Sequence, residues 1–149
     1  MSIFLTTVLL ATDGSKDAEL ATTTALDLAN STSSELHIVL VEEKAYAYVD
    51  PSGYPFFPDA ELEHELEQQA RMRLDAEVEK RRSAGGAVAE AHLRMGAAAA
   101  EIVDLAEDIG AGLIVMGSRG LGGIRRALMG SASDSVVRHA HCPVLVVRH

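Results

Sequence analysis

At 149 residues, 48% of them apolar, the chain has the size of one domain with a full hydrophobic core and is too apolar for intrinsic disorder. A net charge of −9 argues against nucleic acid as a main partner, because phosphate backbones select basic surfaces, whereas a nucleotide needs only local positive potential. No apolar run approaches the ~18 residues of a membrane span, Met1 to Leu5 lack a basic leader region, and the lone Cys142 precludes an internal disulfide, so a cytoplasmic protein without membrane association is expected.

The first apolar run, Thr7 to Thr12, reads as a strand ending at the turn signal Asp13-Gly14-Ser15. From Lys16 to Ala29, Ala18, Ala21, Ala25, Leu28 and Ala29 recur at helical spacing, predicting a helix whose small-residue face can sit close to a sheet. Leu36 to Val41 is a second nearly continuous apolar strand, as expected for a strand buried on both faces. Within it His37 reads as a core or edge histidine rather than a ligand. Residues 43–58 break the pattern with Pro51, Gly53, Pro55 and Pro58, and hold Tyr46, Tyr48, Tyr54, Phe56 and Phe57. A loop of this length and aromatic content either covers a ligand, meets a partner or folds over the neighbouring helix.

Asp59 begins a long helix with the stripe Leu62, Leu66, Ala70, Leu74 and Val78; its closing Lys80-Arg81-Arg82 reads as a solvated end that complements the helix dipole before Gly85-Gly86. Val88 to Arg94 alternates, with Val88, Glu90, His92 and Arg94 opposite Ala89, Ala91 and Leu93, which predicts a less buried strand at a sheet edge. Ala97 to Ile109 follows as a helix with Ile102, Leu105, Ala106 and Ile109 facing inward, and Leu113 to Met116 as another buried strand. A fourth helix is expected from about Ser131 to Ala140 and a last strand over Pro143 to Val147, beside Cys142 as a small buried hydrophobe. Such alternation means a parallel sheet with helices on both faces, joined by right-handed crossovers, with ligands outside the carboxyl ends of the strands.

The stretch Gly117-Ser118-Arg119-Gly120-Leu121-Gly122-Gly123, running on to Gly130-Ser131, is the richest in chemical signal. Glycines let the backbone turn and approach a ligand, and Ser131 is a good N-cap, so strand, loop and helix start form a concave set of N–H donors suited to phosphate. Arg119, Arg125 and Arg126 supply local positive charge. The absence of Gly-Lys-Ser or Gly-Lys-Thr excludes a Walker loop, and the glycine spacing fails the Rossmann fingerprint.

Gly117-x2-Gly120-x9-Gly130-Ser131 resembles the ATP-binding signature of the universal stress protein family, as do the opening Ala11-Thr12-Asp13-Gly14-Ser15 and the closing Cys142-Pro143-Val144-Leu145-Val146-Val147. Gly96 before an alanine-rich helix start and Met116 before the glycine loop agree in position, so the resemblance spans the whole chain. It implies one domain over residues 1–149, an α/β fold of the adenine-nucleotide-binding HUP type with a five-stranded parallel sheet in the order 3-2-1-4-5, and ATP with Mg²⁺ as ligands. By position, Ala11, Thr12 and Val41 would line the adenine pocket, Met116 and Gly117 the ribose and α-phosphate side. Arg119, Gly120, Gly130, Ser131 and Ser133 would hold the phosphates, with Ala132 contributing mainly backbone where the family often carries a β-branched residue. Asp13 would ligate Mg²⁺ or accept from a ribose hydroxyl.

The family's pairing of the last strand with its copy in a second subunit implies a homodimer through Val144 to Val147. A phosphate cradle without catalytic equipment implies a regulatory ATP-binding protein with at most slow hydrolysis, not a dedicated enzyme. The alternatives are a nucleotidyl-transfer or pyrophosphatase relative, which would want a Ser-Gly-Gly cradle and a His-x-x-His pair that are absent here, a dimeric interaction module that binds no ATP, and a binder of another adenine nucleotide such as a cyclic one. His139 and His141 lie two apart, an offset that points them in different directions on a helix, so they read as favouring its negative end, not as a shared metal site.

Overall fold

The computed structural model describes residues 7–14, 18–43, 48–49, 51–56, 59–118 and 131–148. Along the chain run β1 (Thr7–Thr12), α1 (Glu19–Thr32), β2 (Glu35–Glu42), the two-residue strands β3 (Tyr48–Val49) and β4 (Pro55–Phe56), α2 (Ala60–Ser83), β5 (Glu90–Met95), α3 (Ala98–Ile109), β6 (Leu113–Gly117), α4 (Ser131–His139) and β7 (Val144–Val147). The main sheet has the order β5-β2-β1-β6-β7 with every neighbouring pair parallel, the expected 3-2-1-4-5.

Continuous apolar runs become the interior of this sheet because helices cover both of its faces. Every residue of β1 and β6 is buried. Along β1, Val8 and Leu10 face α1 and α2, while Leu9 and Ala11 face α3 and α4; Val115 and Met116 divide in the same way on β6. Ala21, Ala25 and Ala29 of α1 are buried against the first face, and their small side chains bring the helix axis close to the strands. Ile102, Leu105 and Ala106 of α3, with Val136 of α4, fill the second face. Cys142, expected to be buried, is half-buried and packs at its margin, and this partial burial pushes its thiol pKa up.

Helix ends follow the local chemistry. Asp59 caps α2, its carboxylate accepting from the Leu62 N–H at 2.9 Å. Gly110 ends α3 in the left-handed conformation, φ +65°. His139 donates from Nδ1 to the Ser135 carbonyl at 2.9 Å in the last turn of α4, while His141 lies beyond the helix.

Three features depart from the sequence reading. The stretch read as loop contains the antiparallel pair β3–β4, with Tyr48 opposite Phe56. Strand β5 starts at Glu90, and Val88 ahead of it joins the core under α1 and α2. The basic trio ending α2 is not uniformly solvated: Arg81 is buried and its guanidinium bonds to Glu77 at 2.7 Å and to both oxygens of Glu19 at 2.9 Å, with Lys80 also bound to Glu19. The stripe ending at Val78, carried on by one helical step, reaches Arg81 or Arg82, but nothing local shows that Glu19 of α1 would meet it.

Candidate functional site

The winding of the sheet reverses between β1 and β6, the place where open parallel sheets bind ligands. These strands are hydrogen-bonded neighbours, and Ala11 is paired with Met116 in register. Two residues further along each strand, the chain leaves the sheet at Asp13 on one side and Ser118 on the other. The Asp13 turn is built by its neighbours: the Thr12 hydroxyl accepts from the Gly14 N–H at 3.1 Å, and Gly14 adopts φ +77°, a conformation that suits glycine. Asp13 is half-buried in this turn at the rim.

On β2 the partners of Ala11 and Thr12 are Val39 and Leu40, so Val41 stands one step beyond, at the same carboxyl end. Ala11, Val41 and Met116 belong to one apolar cluster on the α3/α4 face. The Thr12 side chain turns to the opposite face and its hydroxyl is engaged by Gly14, which leaves its backbone for any ligand on the α3/α4 side. Gly117 ends β6 and is buried. Ser131, Ala132 and Ser133 form the first turn of α4, with Ala132 and Ser133 buried. Because α4 connects two parallel strands, its N-terminus, with its positive dipole end, lies by the strands' carboxyl ends. Arg119, Gly120 and Gly130, together with Arg125 and Arg126, lie outside the described residues.

Two groups at this rim escaped the sequence reading. Ser118 is 9% exposed and its N–H donates to the Val147 carbonyl at 3.0 Å, tying the start of the glycine loop to β7. Glu42, at the end of β2, pairs with Arg73 of α2, and its carbonyl accepts from Gly96 at 3.0 Å. Ser118 lies inside the Gly-x-x-Gly spacing and was findable there; the Glu42 contacts join segments far apart in sequence and were not. A separate depression between α3 and α4 is lined by Ala99, Ala100, Val103, Ser135 and His139.

The sequence profile of the Universal stress protein family matches residues 5–148. The chain belongs to this family. A Staphylococcus epidermidis protein named for the universal stress proteins is 35% identical over 143 residues, a match covering 95% of this chain and 82% of that protein. Among solved structures, the universal stress protein UspA from Lactobacillus plantarum is 28% identical with a TM-score of 0.76, covering 97% of this chain and 98% of its own. A universal stress protein solved in complex with cAMP is 27% identical with a TM-score of 0.61, covering 97% of each chain. No helix among the described residues is long and apolar enough to cross a membrane.

Proposed function

We propose that this universal stress protein binds ATP with Mg²⁺ at the carboxyl ends of β1, β2 and β6, and acts as a cytoplasmic, nucleotide-dependent regulatory protein, not as a dedicated enzyme. The observation that carries this reading is the pairing of Ala11 with Met116, which sets the Asp13 turn beside the strand that feeds the glycine loop. In this reading Ala11, Val41 and the Thr12 backbone line the adenine, and Met116 with Gly117 supports the ribose and α-phosphate. Arg119, Gly120, Gly130, Ser131 and Ser133 hold the phosphates, Ala132 adding a backbone N–H. One carboxylate plus phosphate oxygens is a common way to hold Mg²⁺, and Asp13 is the carboxylate this reading assigns to it. The cation would neutralise phosphate charge; the chain's own residues bind and orient. In this reading Asp13 and the loop arginines supply charge, and no residue serves as a positioned base for attack on the terminal phosphate, so turnover slower than about 1 s⁻¹ is expected.

The outer edge of β7, with Leu145 exposed, favours a homodimer in which Val144–Val147 pairs with its copy, since exposed apolar edges tend to be paired. The relative solved with cAMP favours a second reading, in which another adenine nucleotide takes the same pocket.

The test is to identify the nucleotide released when freshly purified protein is denatured, then to titrate ATP with Mg²⁺, and separately cAMP, into the emptied protein by calorimetry. Recovered ATP that is lost in folded Gly120→Val and Gly130→Val variants supports the cradle; tighter binding of cAMP supports the second reading. A folded protein that yields no nucleotide and no heat with either ligand refutes both and leaves an ATP-independent interaction module.

A further inference from the structure

The α3/α4 face of the sheet carries a polar cluster near the amino ends of β2 and β5, away from the rim described above. In the β2–β5 register His37 lies opposite Glu90, and Val39 opposite His92. Alternation along the two strands therefore sends His37, Glu90 and His92 to one face. His37 Nδ1 stands 3.0 Å from His92 Nε2 and 3.8 Å from a Glu90 carboxylate oxygen, and one donor atom from each residue fits within 4.8 Å. The two rings meet nitrogen to nitrogen, with centroids 5.3 Å apart and planes 13° from parallel. His37 is 7% exposed, His92 is half-buried and Glu90 is exposed, so the cluster runs from within the sheet to its surface.

We propose that His37, His92 and Glu90 form a binding site for a divalent transition metal, Zn²⁺ being the ion this donor set fits. Two imidazole nitrogens and a carboxylate are borderline ligands that suit zinc and its neighbours in the first transition row better than Mg²⁺ or Ca²⁺. A tetrahedral ion with bonds of about 2.0–2.1 Å separates its ligand atoms by about 3.3 Å. The observed 3.0 and 3.8 Å bracket that edge and the third lies within 4.8 Å, so rotation of the side chains to aim both ring nitrogens at a common point would complete the geometry. In the metal-free pair a single ring N–H must serve the close nitrogen–nitrogen contact; an ion replaces that proton and uses both lone pairs.

The surroundings match those of a ligating histidine. A Glu35 carboxylate oxygen stands 3.5 Å from His37 Nε2 and would take the remaining ring N–H, the carboxylate–histidine–metal relay that fixes the tautomer and raises ligand basicity. A bound ion would clamp the edge strand β5 to β2. Sequence reading missed this because His37 and His92 are 55 residues apart and meet only through parallel pairing.

The experiment uses the full chain stripped with chelator and kept free of nucleotide, titrated with Zn²⁺ alone against a competing chelator. The expected result is one ion per chain, with affinity at least ~100-fold weaker in His92→Gln and ~10–100-fold weaker in Glu35→Gln. Binding should be unchanged in a His139→Gln/His141→Gln/Cys142→Ser variant. At a free-ion concentration near 100 times Kd the thermal midpoint should rise by about 5–10 °C. In the unsubstituted protein, the imidazole resonances of His37 and His92 should shift on titration while those of His64 stay put, a readout that does not depend on how any variant folds. Absence of binding, binding that survives His92→Gln, or shifts confined to other histidines overturns the proposal.

Discussion

Replacing Arg81 by Met probes the buried charge cluster that joins α2 to α1. Arg81 is 7% exposed and its guanidinium makes contacts of 2.7 and 3.2 Å to Glu77, itself 8% exposed, and two of 2.9 Å to Glu19. Unit charges about 4 Å apart at an effective dielectric near 20 attract by about 4 kcal/mol, and desolvation of both partners offsets much of that. The intact cluster therefore adds little net stability, but removing the cation alone strands the Glu77 carboxylate in the interior. Such a loss costs about 3–5 kcal/mol, while the methionine keeps most of the aliphatic packing of the arginine stem. At about 2–4 °C per kcal/mol for a chain of this size, the thermal midpoint should fall by roughly 6–20 °C. Urea unfolding of the wild type, Arg81→Met, Glu77→Leu and the double variant forms a mutant cycle. The double variant should recover most of the loss, with an interaction energy of about 2–3 kcal/mol. An Arg81→Met penalty below about 1 kcal/mol, or strict additivity in the cycle, would refute the reasoning.

Hydrogen bonds from Lys80 first, and then from Arg81, lower the Glu19 pKa below its ordinary 4.5. A depressed carboxylate contributes stability above its unfolded pKa and loses it as pH falls through the folded value, so Glu19→Gln should flatten the loss of stability below about pH 4.5, measured by unfolding at stepped pH. Leu145→Lys on the β7 edge should convert the proposed dimer to a monomer in analytical ultracentrifugation; a dimer that persists would place the interface elsewhere. Gly110 has φ +65° with open space where a Cβ would be, so Gly110→Ala should cost about 1 kcal/mol through backbone strain alone, read as a small drop in thermal midpoint. Asp13→Asn should weaken the Mg²⁺ dependence of ATP binding more than binding without the cation, by calorimetry in both conditions.

The strands that build the sheet were legible because a parallel strand covered on both faces needs an apolar run, and Thr7 to Thr12, Leu36 to Val41 and Leu113 to Met116 have one. The Asp59 cap and the turn at Asp13-Gly14 were legible because their chemistry is local. The strand order needed the family resemblance, since periodicity says which segments are strands but not which ones touch. What stayed hidden depended on long-range partners. Arg81 is chemically like Lys80 and Arg82 until Glu19 arrives from another helix, and His37 looks like an isolated edge histidine until β5 brings His92 beside it. The β3–β4 pair escaped because two residues are too few to show alternation. Of the candidate site, the part on β1, β2, β6 and α4 sits at one end of the sheet; Arg119, Gly120 and Gly130 lie outside the described residues.

The central place of β1 has a consequence for how the chain is made. Its two neighbours are β2, which follows soon after, and β6, which begins at Leu113. About 100 residues must leave the ribosome between the end of β1 and the start of β6, roughly 5–20 s at ordinary rates of synthesis. During that interval β1, β2 and β5 can assemble as a three-stranded sheet, leaving Leu9 and Leu10 on a strand with one unpaired edge. A strand that ends wholly buried is thus long open to wrong pairing in the nascent chain, and its apolar edge is the kind of surface that chaperones hold until β6 emerges.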